Sequence, residues 1–348
     1  MSLGKAIVAH KENAAVDIAK MAGCLGILLL HTGAYHEVPF EMYVQRSILS
    51  LIVPFFFVTS GYFFGCKIWN QDGRTLQDKF LKYEMSLLIP YLVFSIINSL
   101  FAAYDMYVAG ESFLWGMLWL ARAAIFYPYG ALWYVWASMT GMLILYLFLR
   151  GNRLGLACIA GAICWTCGLL GNSYSFLFEN TPIQRGIDFY VHIAVTTRNG
   201  LFDGFPLLLA GVLLAKVWKR FEGREGIKIG AIVLIISSVF LHGEICLVTA
   251  KNASVEISLF FSQVFWVLAA LVLLLNCKWS GNPNTMRLIR KLSTAIYFVH
   301  RPLLTCMRYF LSWKKIELGS MQQFFLLTVL CLGICIPASL LWKRRRIA

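Results

Sequence analysis

Charge is what this chain has least of. Asp and Glu number 17 in 348 residues, and charged residues of both signs make up 14%, against about 25% in soluble domains. That is too little to coat a soluble enzyme of this length, and the chain is too apolar to be disordered. Ten-residue runs alternating apolar and polar residues, the mark of membrane barrel strands, are missing too. No P-loop is present, so an ATP-driven pump is not expected. No HExxH or Asp-rich loop suggests a metal site, and no G-x-S-x-G elbow suggests a hydrolase nucleophile.

What is abundant is apolar. Hydrophobic residues reach 59% and the mean hydropathy is +0.70. They come in blocks such as Ile18–Tyr35, Ser47–Cys66 and Met85–Tyr104, each long enough to cross a bilayer as a helix. Ten such segments are expected, over 15–35, 47–66, 85–104, 131–149, 154–171, 200–218, 227–248, 257–276, 293–311 and 321–342. The fold class is therefore an all-α polytopic membrane protein, about ten helices forming one domain over 1–348. No cleavable leader is expected, because the first apolar run begins late and carries Asp17 and Lys20.

The net charge of +14 on a soluble protein would point to nucleic acid. With ten spans laid out, 21 of the 31 Lys and Arg fall on one side, 7 on the other, and Lys20, Arg301 and Arg308 in or near spans. Such asymmetry sets topology, places both termini in the cytoplasm, and makes the lipid bilayer rather than nucleic acid the partner. Residues 105–130, with a Trp-rich run too short to span, read as an interfacial or re-entrant helix. The Cys164-Trp-Thr-Cys167 pair lacks a βαβ context and reads as buried small residues.

Ionisable residues within spans are costly, by roughly 2.5–3.5 kcal/mol each, and so mark function. In the first span Lys20 and His31 are eleven residues apart, close to three helical turns, and Asp17 lies about 40° off the same stripe. The three share a face, with Lys20 about 16 Å from His31 along the axis. The second span holds Ser60-Gly61, small enough for a helix or ligand to come close. In the ninth, Ser293, Tyr297 and His300 share a face. Arg301-Pro302 then puts a cation and a helix break near mid-membrane. Trp133, Tyr134, Trp136, Arg198, Asp203 and His242 fall in the outer half and together suit a polyol.

These motifs, in this order, resemble the integral-membrane acyltransferase-3 family. Asp17, Lys20 and His31 keep the register of its first-span pattern, with Lys20 where Arg is usual. Phe55-Phe-Phe-Val-Thr-Ser-Gly-Tyr62 resembles its second-span signature, and Leu132-Trp133-Tyr134, Arg198–Gly211 and Ser293…Tyr297…His300 resemble its later elements. Thr181-Pro-Ile, Thr197-Arg-Asn-Gly and Leu241-His-Gly are similar to the membrane half of vancomycin-resistance serine racemases. Those carry a racemase domain after the spans. This chain ends at Lys343-Arg-Arg-Arg-Ile-Ala, so racemase activity is not expected. In the segment before Pro90, Tyr83 and Ser86 stand where many members have a basic pair, and Glu84 adds a negative charge.

The resemblance implies transfer of an acyl group, most often acetyl from acetyl-CoA, to a hydroxyl of a carbohydrate or glycolipid. It also implies a bacterial cytoplasmic membrane and leaves a homodimer open. His31 is the expected base or transient acyl carrier. Ser60, Tyr297, His300 and Arg301 are grouped with it near the thioester. Lys20, Lys79 and Lys82 are expected to hold the donor's phosphates as point charges, with Arg301 also assigned to the donor. Asp17 and the Trp133, Tyr134, Trp136, Arg198, Asp203 and His242 group are assigned to the acceptor. The competing expectations are a transporter of a small amino acid such as L-serine and a non-catalytic sensory or scaffold bundle.

Overall fold

The computed structural model describes residues 13–69, 75–251, 258–279 and 281–344, with side chains to residue 339. Five cations counted on the inner side, Lys5, Lys11, Arg74, Arg345 and Arg346, lie outside the described residues. The described chain is helical throughout, as backbone groups with no water to bond require. Twelve helices are α1 (Ala14–Thr32), α2 (Ile52–Trp69), α3 (Leu76–Val108), α4 (Phe113–Phe126), α5 (Trp133–Arg150) and α6 (Leu154–Leu170), then α7 (Pro182–Ala194), α8 (Phe205–Val217), α9 (Arg224–Lys251), α10 (Gln263–Asn276), α11 (Pro283–Lys314) and α12 (Ser320–Arg344).

Every expected segment contains one of these helices, but not all qualify as spans. Six helical stretches are long and apolar enough to cross a membrane, and α4, α6 and α10 are shorter apolar helices. The ten-span count is therefore met in part. α11 shows why hydropathy alone misjudges: it is 32 residues long but carries Arg287, Arg290, Lys291, Arg301, Arg308 and Lys314. The expected break at Pro302 does not occur either, since α11 runs through it unbroken.

α2 and α8 form the centre of the bundle, and they touch backbone to backbone. A Cβ on Gly61 would lie 2.1 Å from the Leu208 carbonyl oxygen, and one on Gly211 would lie 2.0 Å from that of Val58. Gly61 thus serves helix packing, the close approach that small residues allow. Around this pair the fully buried Phe57, Tyr62, Phe205, Leu207 and Leu208 make the core.

Two irregular turns are built by polar side chains. Residues 200–204 form a π-type turn into α8. Asn199 holds it, its Oδ1 accepting from the Leu201 and Phe202 amides at 3.0 and 3.1 Å. On the other flank Glu244 accepts from the Phe261 and Ser262 amides at 3.0 and 2.9 Å, and from the Tyr174 and Ser262 hydroxyls. The Trp-rich α4 is capped by Ser112 and leaves Phe113, Leu114, Trp115, Met117 and Leu118 exposed. It lies outside the bundle, and Arg122 ties it to the His192 and Ile193 carbonyls at the end of α7.

Candidate functional site

The polar stripe of α1 packs on α11. Arg290 donates from Nε and Nη2 to the two carboxylate oxygens of Asp17 at 3.0 and 2.6 Å. Cys24 Sγ donates to the Ser293 carbonyl at 3.2 Å. The rings of His31 and His300 stack with centroids 5.3 Å apart. All three pairings ascend together, so α1 and α11 run parallel, and α11 supplies the face that the charges of α1 need.

Between the Asp17–Arg290 pair and the histidines lies a cavity of about 170 Å³, lined by Lys20, Cys24, Phe56, Ser60, Leu87, Tyr134, Val135, Ser293, Thr294, Tyr297 and Phe298. Five residues singled out in the sequence, Lys20, Ser60, Tyr134, Ser293 and Tyr297, therefore meet in one space. The Tyr83 and Tyr134 hydroxyls converge on Ser60, while that of Tyr297 donates to the Ala131 carbonyl at 2.6 Å. The Lys20 ammonium lies 5.3 Å from the Phe63 ring centroid and within electrostatic reach of Lys67, which in turn reaches Lys82.

The two histidines differ in their bonding. His300 is fully buried, with Nδ1 2.6 Å from the Tyr297 carbonyl oxygen. A carbonyl only accepts, so Nδ1 carries the proton and Nε2 keeps the lone pair. That Nε2 is buried without a partner. His31 sits in the last turn of α1, which Gly33 ends in the left-handed region at φ 77°, and Arg308 approaches the His31 carbonyl at 3.4 Å. Two protonated rings stacked in this way would set like charges face to face.

The other sequence candidates are placed elsewhere. Asp17 is bound to Arg290 at the opposite end of α1 from His31, an ion-pair anchor rather than a group turned toward an acceptor. Lys79 is buried and Lys82 exposed; neither lines the cavity. Trp136 is held by a 2.9 Å bond to the Ile125 carbonyl and stacks on Tyr91. Trp133 carries Arg198 over its ring at 5.6 Å, and Arg198 is in electrostatic contact with the buried Asp203. His242 lies against Tyr43 and Cys246 on an exposed part of α9, away from the cavity. Arg301 stands beside the histidines and Arg308, level with the His31 end of α1. Among the described residues no cluster of His, Cys, Asp or Glu suits a metal ion.

Arg290 and Lys67 were not singled out in the sequence. The signal for Arg290 was available: a carboxylate at Asp17 inside a span needs a cation from another helix. Asp17→Asn is expected to lower the unfolding midpoint in detergent. The cost is on the order of 2–3 kcal/mol, below that of a fully buried pair because the Arg290 side chain is 35% exposed. The double variant D17N/R290Q, measured in the same melt, is expected to recover part of that loss.

A family model described as an acyltransferase domain, acyltransferase 3, matches residues 13–340. The chain belongs to the acyltransferase-3 family. The match runs from the start of α1 into α12 and includes both walls of the cavity. Among characterised relatives, the acyltransferase-3 chain is 25% identical over 336 residues to a serine/alanine racemase of Enterococcus gallinarum, covering 93% of this chain and 46% of that protein. It is 24% identical over 241 residues to an amino-acid racemase of Enterococcus faecalis, covering 67% of this chain and 34% of that protein. The chain thus spans less than half the length of the relatives it matches. No solved structure matches it.

Proposed function

We propose that this multi-pass protein moves a short acyl group, acetyl foremost, from acyl-CoA at the cytoplasmic face to a hydroxyl of a carbohydrate or glycolipid in a bacterial envelope. The observation that carries the reading is the cavity lined by Lys20, Ser60, Tyr134, Ser293 and Tyr297, on the α1–α11 seam that also holds the stacked rings of His31 and His300. A space of about 170 Å³ equals five or six waters at ~30 Å³ each, which suits a two-carbon acyl thioester and not a long chain.

A second cavity, of about 700 Å³, opens at the Asp17 end and is lined among others by Asn13, Asp17, Glu222, Arg224, Lys278 and Trp279. It supports entry of a nucleotide-bearing donor from that side, with Lys20, Lys67 and Lys82 as point charges for its phosphates. In the reaction, an imidazole, His31 foremost, accepts the proton of the acceptor hydroxyl. The oxygen attacks the thioester carbon, the C–S bond breaks, and the CoA sulfur leaves and takes that proton. The Ser60 hydroxyl, which lines the cavity, is the donor that favours the oxyanion formed on the way.

The direct test is protein reconstituted in phosphatidylethanolamine/phosphatidylglycerol vesicles with labelled acetyl-CoA and envelope carbohydrate from its host. Acceptor-dependent CoA release with label on the carbohydrate is expected; its absence with every fraction overturns the reading. Lys20→Ala is expected to raise the donor KM about tenfold with little change in kcat, and a pure kcat loss counts against phosphate binding at Lys20. The racemase names of both relatives favour a second reading, passage of a small amino acid. Counterflow of labelled L-serine without CoA release would select it.

A further inference from the structure

The His31 end of the site contains a cation for which no ion pair is made among the described residues. The Arg301 guanidinium is half-buried; its Nε is buried without a hydrogen-bond partner. Its electrostatic neighbours are Arg308, Tyr127 and Tyr129, and the charged one among them is a second cation. Both arginines act on His31. Arg308 is only lightly engaged, with Gln323 at 3.3 Å and the His31 carbonyl at 3.4 Å. The local carboxylate, Asp105, is committed to the tyrosines: the Tyr309 hydroxyl donates to it at 2.5 Å, and Tyr129 also reaches it.

A desolvated guanidinium beside a second one is unfavourable unless an anion completes it, and the planar fork of Arg suits phosphate or carboxylate. Aromatic rings stand around it. Tyr127 stacks on Trp133 at 6.0 Å, and Tyr104 packs edge-on to Tyr309 at 5.4 Å. Rings of this kind offer flat apolar faces to a sugar, with polar edges for its hydroxyls.

We propose that Arg301 and Arg308 form an anion subsite beside His31, so that the acceptor is an anionic carbohydrate whose phosphate or carboxylate they hold while a nearby hydroxyl meets His31. The identity of this ligand as acceptor rests on the transferase reading; the anion subsite itself does not. Arg301 accordingly belongs with the acceptor and not with the donor.

The test is equilibrium binding of N-acetylglucosamine 1-phosphate and of N-acetylglucosamine to the purified full chain in phosphatidylcholine nanodiscs, without donor. The phosphorylated sugar is expected to bind at least tenfold more tightly. Arg301→Gln and the exposed-site variant Arg308→Gln are each expected to weaken it about 10- to 100-fold and to leave the neutral sugar unchanged. Lys314→Gln, a cation outside the cluster, is expected to have no effect. Arg308→Gln keeps the test decisive if Arg301→Gln does not fold. Equal binding of the two sugars, or equal loss in Lys314→Gln, overturns the proposal. So does competitive loss of binding when phosphatidylglycerol replaces phosphatidylcholine, because the anion would then be a lipid headgroup. Donor-free binding also separates the two ideas. Binding without acetyl transfer removes the transferase reading and keeps the subsite; transfer without phosphate preference does the reverse.

Discussion

Replacing His31 by alanine is expected to reduce acetyl transfer by about 10²–10⁴-fold, the range in which a positioned general base contributes. Carbohydrate hydroxyls hold their protons far above neutral pH, so attack needs a lone pair at the reacting oxygen. The His31 ring makes no hydrogen bond within the described protein and is free to take the substrate proton. His300 has its Nδ1 proton fixed by the Tyr297 carbonyl, which leaves its own lone pair on Nε2. The stacking at 5.3 Å means that each ring holds the other in place. His300→Ala is therefore expected to cost as much activity as His31→Ala, and the double variant little more, since residues acting as a unit are non-additive. Initial rates of CoA release in vesicles, at matched protein content, check this. If His31→Ala retains full transfer, the base lies elsewhere.

The second large effect concerns stability. Gly211→Val is expected to prevent assembly of a monodisperse protein, because its Cβ would occupy space 2.0 Å from the Val58 carbonyl oxygen and 2.6 Å from the Tyr62 amide nitrogen. Both obstacles are backbone, so no side-chain rotation relieves them and α2 must separate from α8. Overpacking costs about 1–3 kcal/mol where side chains give way, and here the cost exceeds that range. Gly186→Val, on α7 with nothing within 4 Å of its added Cβ, is the matched comparison and is expected to behave like the parent. Size-exclusion profiles of the two variants in the same detergent read the difference.

The sequence carried the α1 stripe well because it is a property of one helix. Asp17, Lys20 and His31 follow from helical period alone, and the structure puts all three against α11. Distances between helices were another matter. His242 looked like a pocket residue because it shares the outer half with Trp133 and Arg198, but its helix turns it toward Tyr43. Trp133, Tyr134 and Trp136 adjoin in sequence and diverge in space, since neighbours on a helix face different ways, and only Tyr134 meets the cavity. The hydropathy profile misjudged α11 because paired or site-facing charges lower its apolarity without removing it from the bundle. The turn at 200–204 was hidden because it depends on Asn199 capping amides that a different sequence could leave to water.

The pairing of α1 with α11 also bears on how the molecule is made. Asp17 and Arg290 are 273 residues apart, and at about 5–20 residues per second a ribosome needs roughly 14–55 s to travel between them. During that interval the first helix is in the membrane with its carboxylate, ammonium and imidazole facing no finished wall. Biogenesis thus includes a waiting period in which the polar face of α1 is held by something other than its final neighbour, and the bundle closes only when α11 arrives.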